Sequence, residues 1–223
     1  MKKTVIVTGA AGNLGRAVVE KFFNENYDVT GIVRRLPESD KKLEGKTVAL
    51  ELLDAGACNN FIEDYTKENT INVAVLTAGG FTMGDIAATE TPDIYKQYQL
   101  NFETAYNIAR PLFLYMMQQG EGLIFMTGSQ AGLNANVAKG STAYSLSKSL
   151  LFRLSEIMNA EAKGTNVRVK IIVPSIIDTP QNREAMPAAD HSKWKKPSEI
   201  AGIIYHHTIG EERLAKDHFI LMS

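Results

Sequence analysis

Tyr144 and Lys148 stand four residues apart in Tyr144-Ser145-Leu146-Ser147-Lys148, a spacing that on a helix puts both side chains on one face. An ammonium at that position lowers the pKa of the phenol, which makes Tyr144 a candidate proton donor near neutral pH. In a chain with 8 Tyr the same spacing also arises by chance as a solvated helix pair, so the company it keeps must decide. Upstream lies Thr8-Gly9-Ala10-Ala11-Gly12-Asn13-Leu14-Gly15. It follows the first apolar run and opens the first helical segment, the place a dinucleotide fingerprint requires. Gly9 suits a tight turn, Gly12 a close approach of backbone to phosphate, and Gly15 close packing of the next helix, so a pyrophosphate sits on that helix's first turn, Asn13 and Leu14 included.

The elements that must position these groups follow from apolar runs. Thr4 to Thr8, Val29 to Val33, Thr47 to Leu52, Val73 to Thr77, Gly122 to Thr127, Val167 to Val173 and Phe219 to Met222 read as seven strands. They are nearly continuous rather than alternating, as strands covered on both faces require. The expected fold is therefore α/β, a Rossmann-type doubly wound, mostly parallel sheet with helices on each side. Helices are expected over 13–25, 56–68, 92–118, 142–163 and 198–209, the third with Thr91 as N-cap, Pro92 at its first position and a kink at Pro111. No repeat or linker interrupts the pattern, so residues 1–223 are expected to form one domain, with the proline-rich stretch 174–196 as an irregular lid within it.

Composition narrows the function. A net charge of −1 without a long basic run argues against nucleic acid and against anionic membrane, which leaves small-molecule chemistry. The single cysteine, Cys58, excludes an intrachain disulfide and a Cys-rich zinc site, and suits a reducing compartment. No signal-type or membrane-spanning run is found, so a cytoplasmic protein is expected. His206 and His207 are explained by a helix C-terminus rather than by a metal, and none is proposed. At the end of the second strand, Gly31-Ile32-Val33-Arg34-Arg35 carries no acid to bind ribose hydroxyls. Two guanidiniums suit a 2′-phosphate, so NADP(H) is favoured, with NAD(H) left open.

Thr8-Gly9, then Thr77-Ala78-Gly79 after the fourth strand, Ser129 after the fifth, and Tyr144 with Lys148 on the next helix together resemble the short-chain dehydrogenase/reductase family over essentially the whole chain. The resemblance implies a catalytic tetrad of Asn101, Ser129, Tyr144 and Lys148. In it Ser129 holds the substrate carbonyl, Tyr144 transfers the proton, Lys148 binds the nicotinamide ribose, and Asn101 anchors a water in a relay to Lys148. It also implies cofactor contacts at Asp54, Ala78, Gly79, Pro174, Ile177 and Thr179, and a homodimer or homotetramer formed through the third helix and the Tyr144 helix. The Ser129-to-Tyr144 interval is longer than the commonest family spacing, which places a small insertion around 134–140 on the substrate side.

The lid, Asp178-Thr179-Pro180-Gln181-Asn182-Arg183-Glu184-Ala185-Met186 with Trp194 beyond it, resembles dihydropteridine reductases. It makes Met186 and Trp194 candidate substrate contacts. Such reductases generally lack the serine and asparagine that Ser129 and Asn101 supply here, and those two suit carbonyl reduction. The expected activity is thus hydride transfer between a nicotinamide and a small carbonyl or a pterin-like quinonoid compound. The alternative is an NADP(H)-binding regulatory protein without turnover, against which the intact tetrad argues.

Overall fold

A computed structural model of the chain describes residues 2–36, 43–214 and 218–222. Seven strands form one sheet: β1 (Thr4–Thr8), β2 (Asp28–Val33), β3 (Lys46–Ala49), β4 (Val73–Leu76), β5 (Glu121–Thr127), β6 (Asn166–Pro174) and β7 (Phe219–Met222). Their order is β3-β2-β1-β4-β5-β6-β7, and every neighbouring pair is parallel. Alternate residues feed opposite cores. Val5, Val7, Val73 and Val75 face α1 (Asn13–Asn24) and α8 (Pro197–His206), while Ile6, Ala74 and Leu76 face α2 (Ala55–Tyr65), α4 (Thr104–Gln119) and α6 (Thr142–Glu161). That two-sided burial is why the runs carry no polar alternation.

The strand order reverses at β1, which pairs with β2 on one side and β4 on the other. Chain leaving the carboxyl ends of β1 and β4 diverges there, and such a crevice is where open α/β sheets take their ligands. Among the described residues no helix is long and apolar enough to cross a membrane.

Several expectations need correction. The third strand stops at Ala49, because Glu51 turns the chain off the sheet by accepting the Leu53 N–H at 3.1 Å. The long third helix is three pieces: α3 (Thr91–Tyr98), a π-helical turn over Gln99–Glu103, and α4. Its cap is Glu90 rather than Thr91, since the Asp93 carboxylate reaches back to the Glu90 N–H at 3.0 Å and starts the helix one residue early, with Pro92 second. Helix α4 runs on through Pro111, so the departure from α geometry lies at the π-turn upstream.

The stretch 174–196 is not irregular throughout. Pro174 ends β6, Thr179 caps a short helix α7 (Pro180–Ala185) by accepting the Asn182 N–H at 3.2 Å, and His191–Lys193 form a 3-10 turn. The neck of the loop is closed on itself, Asp178 N–H donating to the Lys195 carbonyl at 2.8 Å and Lys195 N–H to that of Ile176 at 3.1 Å. Within the expected insertion, residues Ala135–Ala138 make one further helical turn, α5.

Candidate active site

The glycine loop is fixed by lack of room. Gly9 has φ +61°, and a Cβ there would stand 2.8 Å from the Ala78 nitrogen. At Gly15 it would stand 2.2 Å from the Gly9 carbonyl oxygen, closer than real contacts allow, and at Gly12 3.2 Å from the same atom. Gly12 caps α1 but brings no side chain, so the first turn of Asn13, Leu14 and Gly15 meets the crevice as bare backbone. That is a fit for a pyrophosphate, since unpaired amides and the positive end of the helix both favour an anion. Arg34 and Arg35 are exposed directly after β2. Asp54 caps α2 by accepting the Ala57 N–H at 2.9 Å, the local role an acid takes at a helix start.

Tyr144 and Lys148 do share a face of α6, with the ammonium 5.8 Å from the phenol ring centroid. Lys148 is 4% exposed and donates to the Thr127 carbonyl at 2.7 Å. Burial lowers its pKa to about 8. Tyr144 moves the other way: burial raises its pKa, and the opposing influence is its hydrogen bond with Ser129. The expected depression of the phenol by Lys148 is outweighed here by burial, while the ammonium donates to Thr127. Ser129 also accepts the Ala131 N–H at 3.2 Å, which fixes its rotamer.

Asn101 is fully buried in the π-turn. Its carbonyl oxygen accepts the Gly80 N–H at 3.0 Å; its amide donates to the Gly80 carbonyl at 3.0 Å, to Gln97 at 2.9 Å and to Ser147 at 3.1 Å. The side chain is therefore engaged by protein groups and ties α3 to α6. Gly79, φ +157°, passes so close that a Cβ would meet Asn101 Oδ1 at 2.6 Å and Lys148 Nζ at 3.4 Å. Ala78, Gly79, Asn101 and Lys148 are brought together by this crossing.

On the lid, Pro174 is buried, and Ile177 packs against the core on the α1 side. Met186 is half-buried, and its carbonyl lies 2.9 Å from His191 Nε2. Trp194 is 8% exposed with its ring 4.4 Å from that of His191. Among the described residues no group of three or more His, Cys, Asp or Glu is placed to hold a metal ion.

Residues 3–190 match the sequence profile of the family described as short chain dehydrogenase. The chain belongs to the short-chain dehydrogenase/reductase family. It is 25% identical over 210 residues, 91% of this chain and 87% of the relative, to the cyclic-di-GMP-binding biofilm dispersal mediator protein of Escherichia coli K12. It is 27% identical over 206 residues, 90% of this chain and 85% of the relative, to dihydropteridine reductase of Dictyostelium discoideum. Among solved structures, ElxO with NADP bound superposes with a TM-score of 0.87 at 20% identity, over 99% of this chain and 96% of that one. The parallel seven-stranded sheet belongs to the fold that superposes on that structure, and the chain is an oxidoreductase of the short-chain type.

Four residues that this short-chain oxidoreductase brings to its site were missed in the sequence. Gln97 and Ser147, 3% and 2% exposed, complete the Asn101 network, and Ser147 donates onward to the Tyr144 carbonyl at 2.7 Å. The helical interval from Gln97 to Asn101 was the available signal. Phe81 sets its ring edge-to-face against Tyr144 at 4.9 Å, directly after the Ala78-Gly79 turn. Gln181 of the lid accepts from the Asn13 amide at 2.9 Å, and nothing local in sequence announces that contact.

Proposed function

We propose that this short-chain oxidoreductase is an NADP(H)-dependent reductase of a small carbonyl or pterin-like quinonoid compound, with Tyr144 as general acid and base. The observation that carries the reading is Tyr144 and the buried Lys148 on one face of α6, the ammonium 5.8 Å from the phenol ring centroid and anchored on the Thr127 carbonyl at the end of β5. A bound nicotinamide supplies the hydride. Ser129 holds the oxygen or nitrogen on which charge builds, and Tyr144 delivers the proton there. Lys148, held by Thr127, would bind the sugar next to the reacting ring, and the buried Asn101 network fixes Gly80, with Gly79 close beside Lys148. Arg34 and Arg35 bind a 2′-phosphate, a role that ElxO's occupancy by NADP supports for the fold and the absence of an acid after β2 supports for this chain. Resemblance to a dihydropteridine reductase keeps the quinonoid substrate beside the carbonyls.

Exposed apolar residues on α3 and α4 (Tyr95, Tyr98, Tyr106) and on α6 (Leu146, Leu150, Ile157) suit a homodimer, which sedimentation would register as twice the chain mass.

The test is oxidation of NADPH and of NADH with quinonoid dihydropterin beside a panel of aldehydes, ketones and quinones. NADPH is expected to be preferred, and Tyr144→Phe to lose about 10²- to 10⁴-fold in turnover while binding NADPH as the parent does. Tight NADPH binding with no turnover of any panel member would instead support the regulatory reading, and unchanged turnover in the Phe variant would remove Tyr144 from the proton transfer.

A further inference from the structure

The chain between Gly79 and Gly84 is an arch pinned at both feet. At one foot Gly80 exchanges two hydrogen bonds with the Asn101 side chain, each 3.0 Å. At the other, the Gly84 N–H donates to the Gly140 carbonyl at 2.8 Å and the Gly84 carbonyl accepts the Thr142 N–H at 2.8 Å, forming a bridge to the start of α6. Both feet are conformationally committed: Gly79 has φ +157° and Gly84 φ +156°, and a Cβ at Gly84 would meet Thr89 Oγ1 at 2.9 Å. The span of Phe81, Thr82 and Met83 is thereby held rigidly beside the N-terminal turn of α6. Phe81 leans edge-on against the Tyr144 ring, yet 61% of it is exposed. The ring is thus fixed against the proposed proton donor on one side and open on the other.

The chemistry of the surroundings is one-sided. No Lys, Arg, Asp or Glu occurs from Gly79 to Gly84, the segment whose Phe81 meets Tyr144, or from Gly128 to Ala138, the segment that carries Ser129; Asp85 and Lys139 follow directly after them. Leu133 and Val137 of the second segment are about half exposed, as is Met83 more fully. A phosphorylated or carboxylated substrate would find no counter-charge within these two segments. A flat, uncharged ring system would gain an aromatic contact instead.

We propose that Phe81 is a specificity-determining residue whose open face receives the body of a flat, neutral aryl carbonyl or quinone. The assignment rests on the reductase reading for its chemistry but not for its binding. Three proteins distinguish the outcomes: the parent, Phe81→Ala and Phe81→Tyr. With NADPH and 9,10-phenanthrenequinone, Phe81→Ala is expected to raise KM on the order of tenfold with kcat within about threefold, while kcat/KM for glycolaldehyde stays level. Phe81→Tyr keeps the ring and is expected to keep the low KM. Equal loss with both substrates would make Phe81 a support for Tyr144 and overturn the assignment, as would no loss with either. Binding is read separately by titrating 2-naphthol into the NADP-saturated proteins. If the parent reduces no carbonyl, the reductase reading fails, yet weaker naphthol binding to Phe81→Ala still upholds the aromatic subsite and equal binding removes it.

Discussion

The glycine loop after β1 and the lid after β6 leave the same edge of the sheet, but different forces hold them. In the loop, hard contacts decide: Gly9, Gly12 and Gly15 sit where a single methyl group would strike backbone. In the lid, the ties are hydrogen bonds, a closed neck at Asp178 and Lys195, an exposed Arg183–Asp178 pair at 2.6 Å, and one ring pair of its own, His191 on Trp194. The Arg183–Asp178 pair is bidentate, at 2.6 and 2.9 Å, but it ties the lid only to itself. Steric constraint gives a cradle that keeps its shape with or without ligand; a loop packed mainly on itself can open at small cost.

The largest expected effect therefore falls in the cradle. Gly15→Ala must displace the Gly9 carbonyl or the start of α1, and we expect a loss of about 4 kcal/mol in urea unfolding together with loss of NADPH binding. In the lid, Glu184→Ala at an exposed position should stay within about 0.5 kcal/mol of the parent. Comparable losses at the two sites would erase the distinction between steric and self-packed regions.

Lys148 stands between the regions and offers a pH test. Its pKa falls from an ordinary 10.5 to about 8, so between those values the unfolded chain binds more protons than the folded one. Stability should accordingly rise with pH through that window, be complete above 10.5, and be lost as pH falls to about 8. The full span is roughly 3 kcal/mol at the pKa difference involved. Lys148→Met should remove this slope, which urea melts at pH 7.5, 9 and 10.5 would reveal as converging rather than parallel stabilities. Parallel curves would mean that the Thr127 contact, not desolvation, governs the lysine.

The same contrast explains what the sequence disclosed. Strands β1 and β7 were legible to the residue, because two-sided burial imposes continuous apolar runs. The glycine positions were legible because a missing Cβ is itself the message. Tyr144 and Lys148 were legible as a pair, but not the direction in which the phenol shifts, since that depends on burial and on Ser129 arriving from β5. The Glu90 cap was hidden behind the stronger appearance of Thr91-Pro92, and the π-turn behind an ordinary helical pattern. Helix α7 was hidden by the prolines and polar residues around it. Trp194 shows the deeper limit, for an aromatic in a lid has the same sequence appearance whether or not it also packs on a neighbour, and its contact with His191 joins two residues of the lid itself.

The side-chain hydrogen bond from cradle to lid, Asn13 to Gln181, joins residues 168 positions apart and is the finest test of how the two cooperate. It is exposed, so its worth is bounded by that of an ordinary hydrogen bond, about 1 kcal/mol, or roughly fivefold in an equilibrium. Asn13 opens the helix turn on which the pyrophosphate is proposed to rest, and Gln181 lies in the first turn of α7, two residues beyond Thr179. Gln181→Ala should then leave the cradle's stability unchanged and speed NADPH release about two- to fivefold in stopped-flow fluorescence, with the association rate unaltered. Asn13→Ala should do the same, and the double variant should add little, because both remove one contact. Additive effects would mean that Asn13 serves the cofactor directly, and that the lid closes without reference to the cradle beneath it.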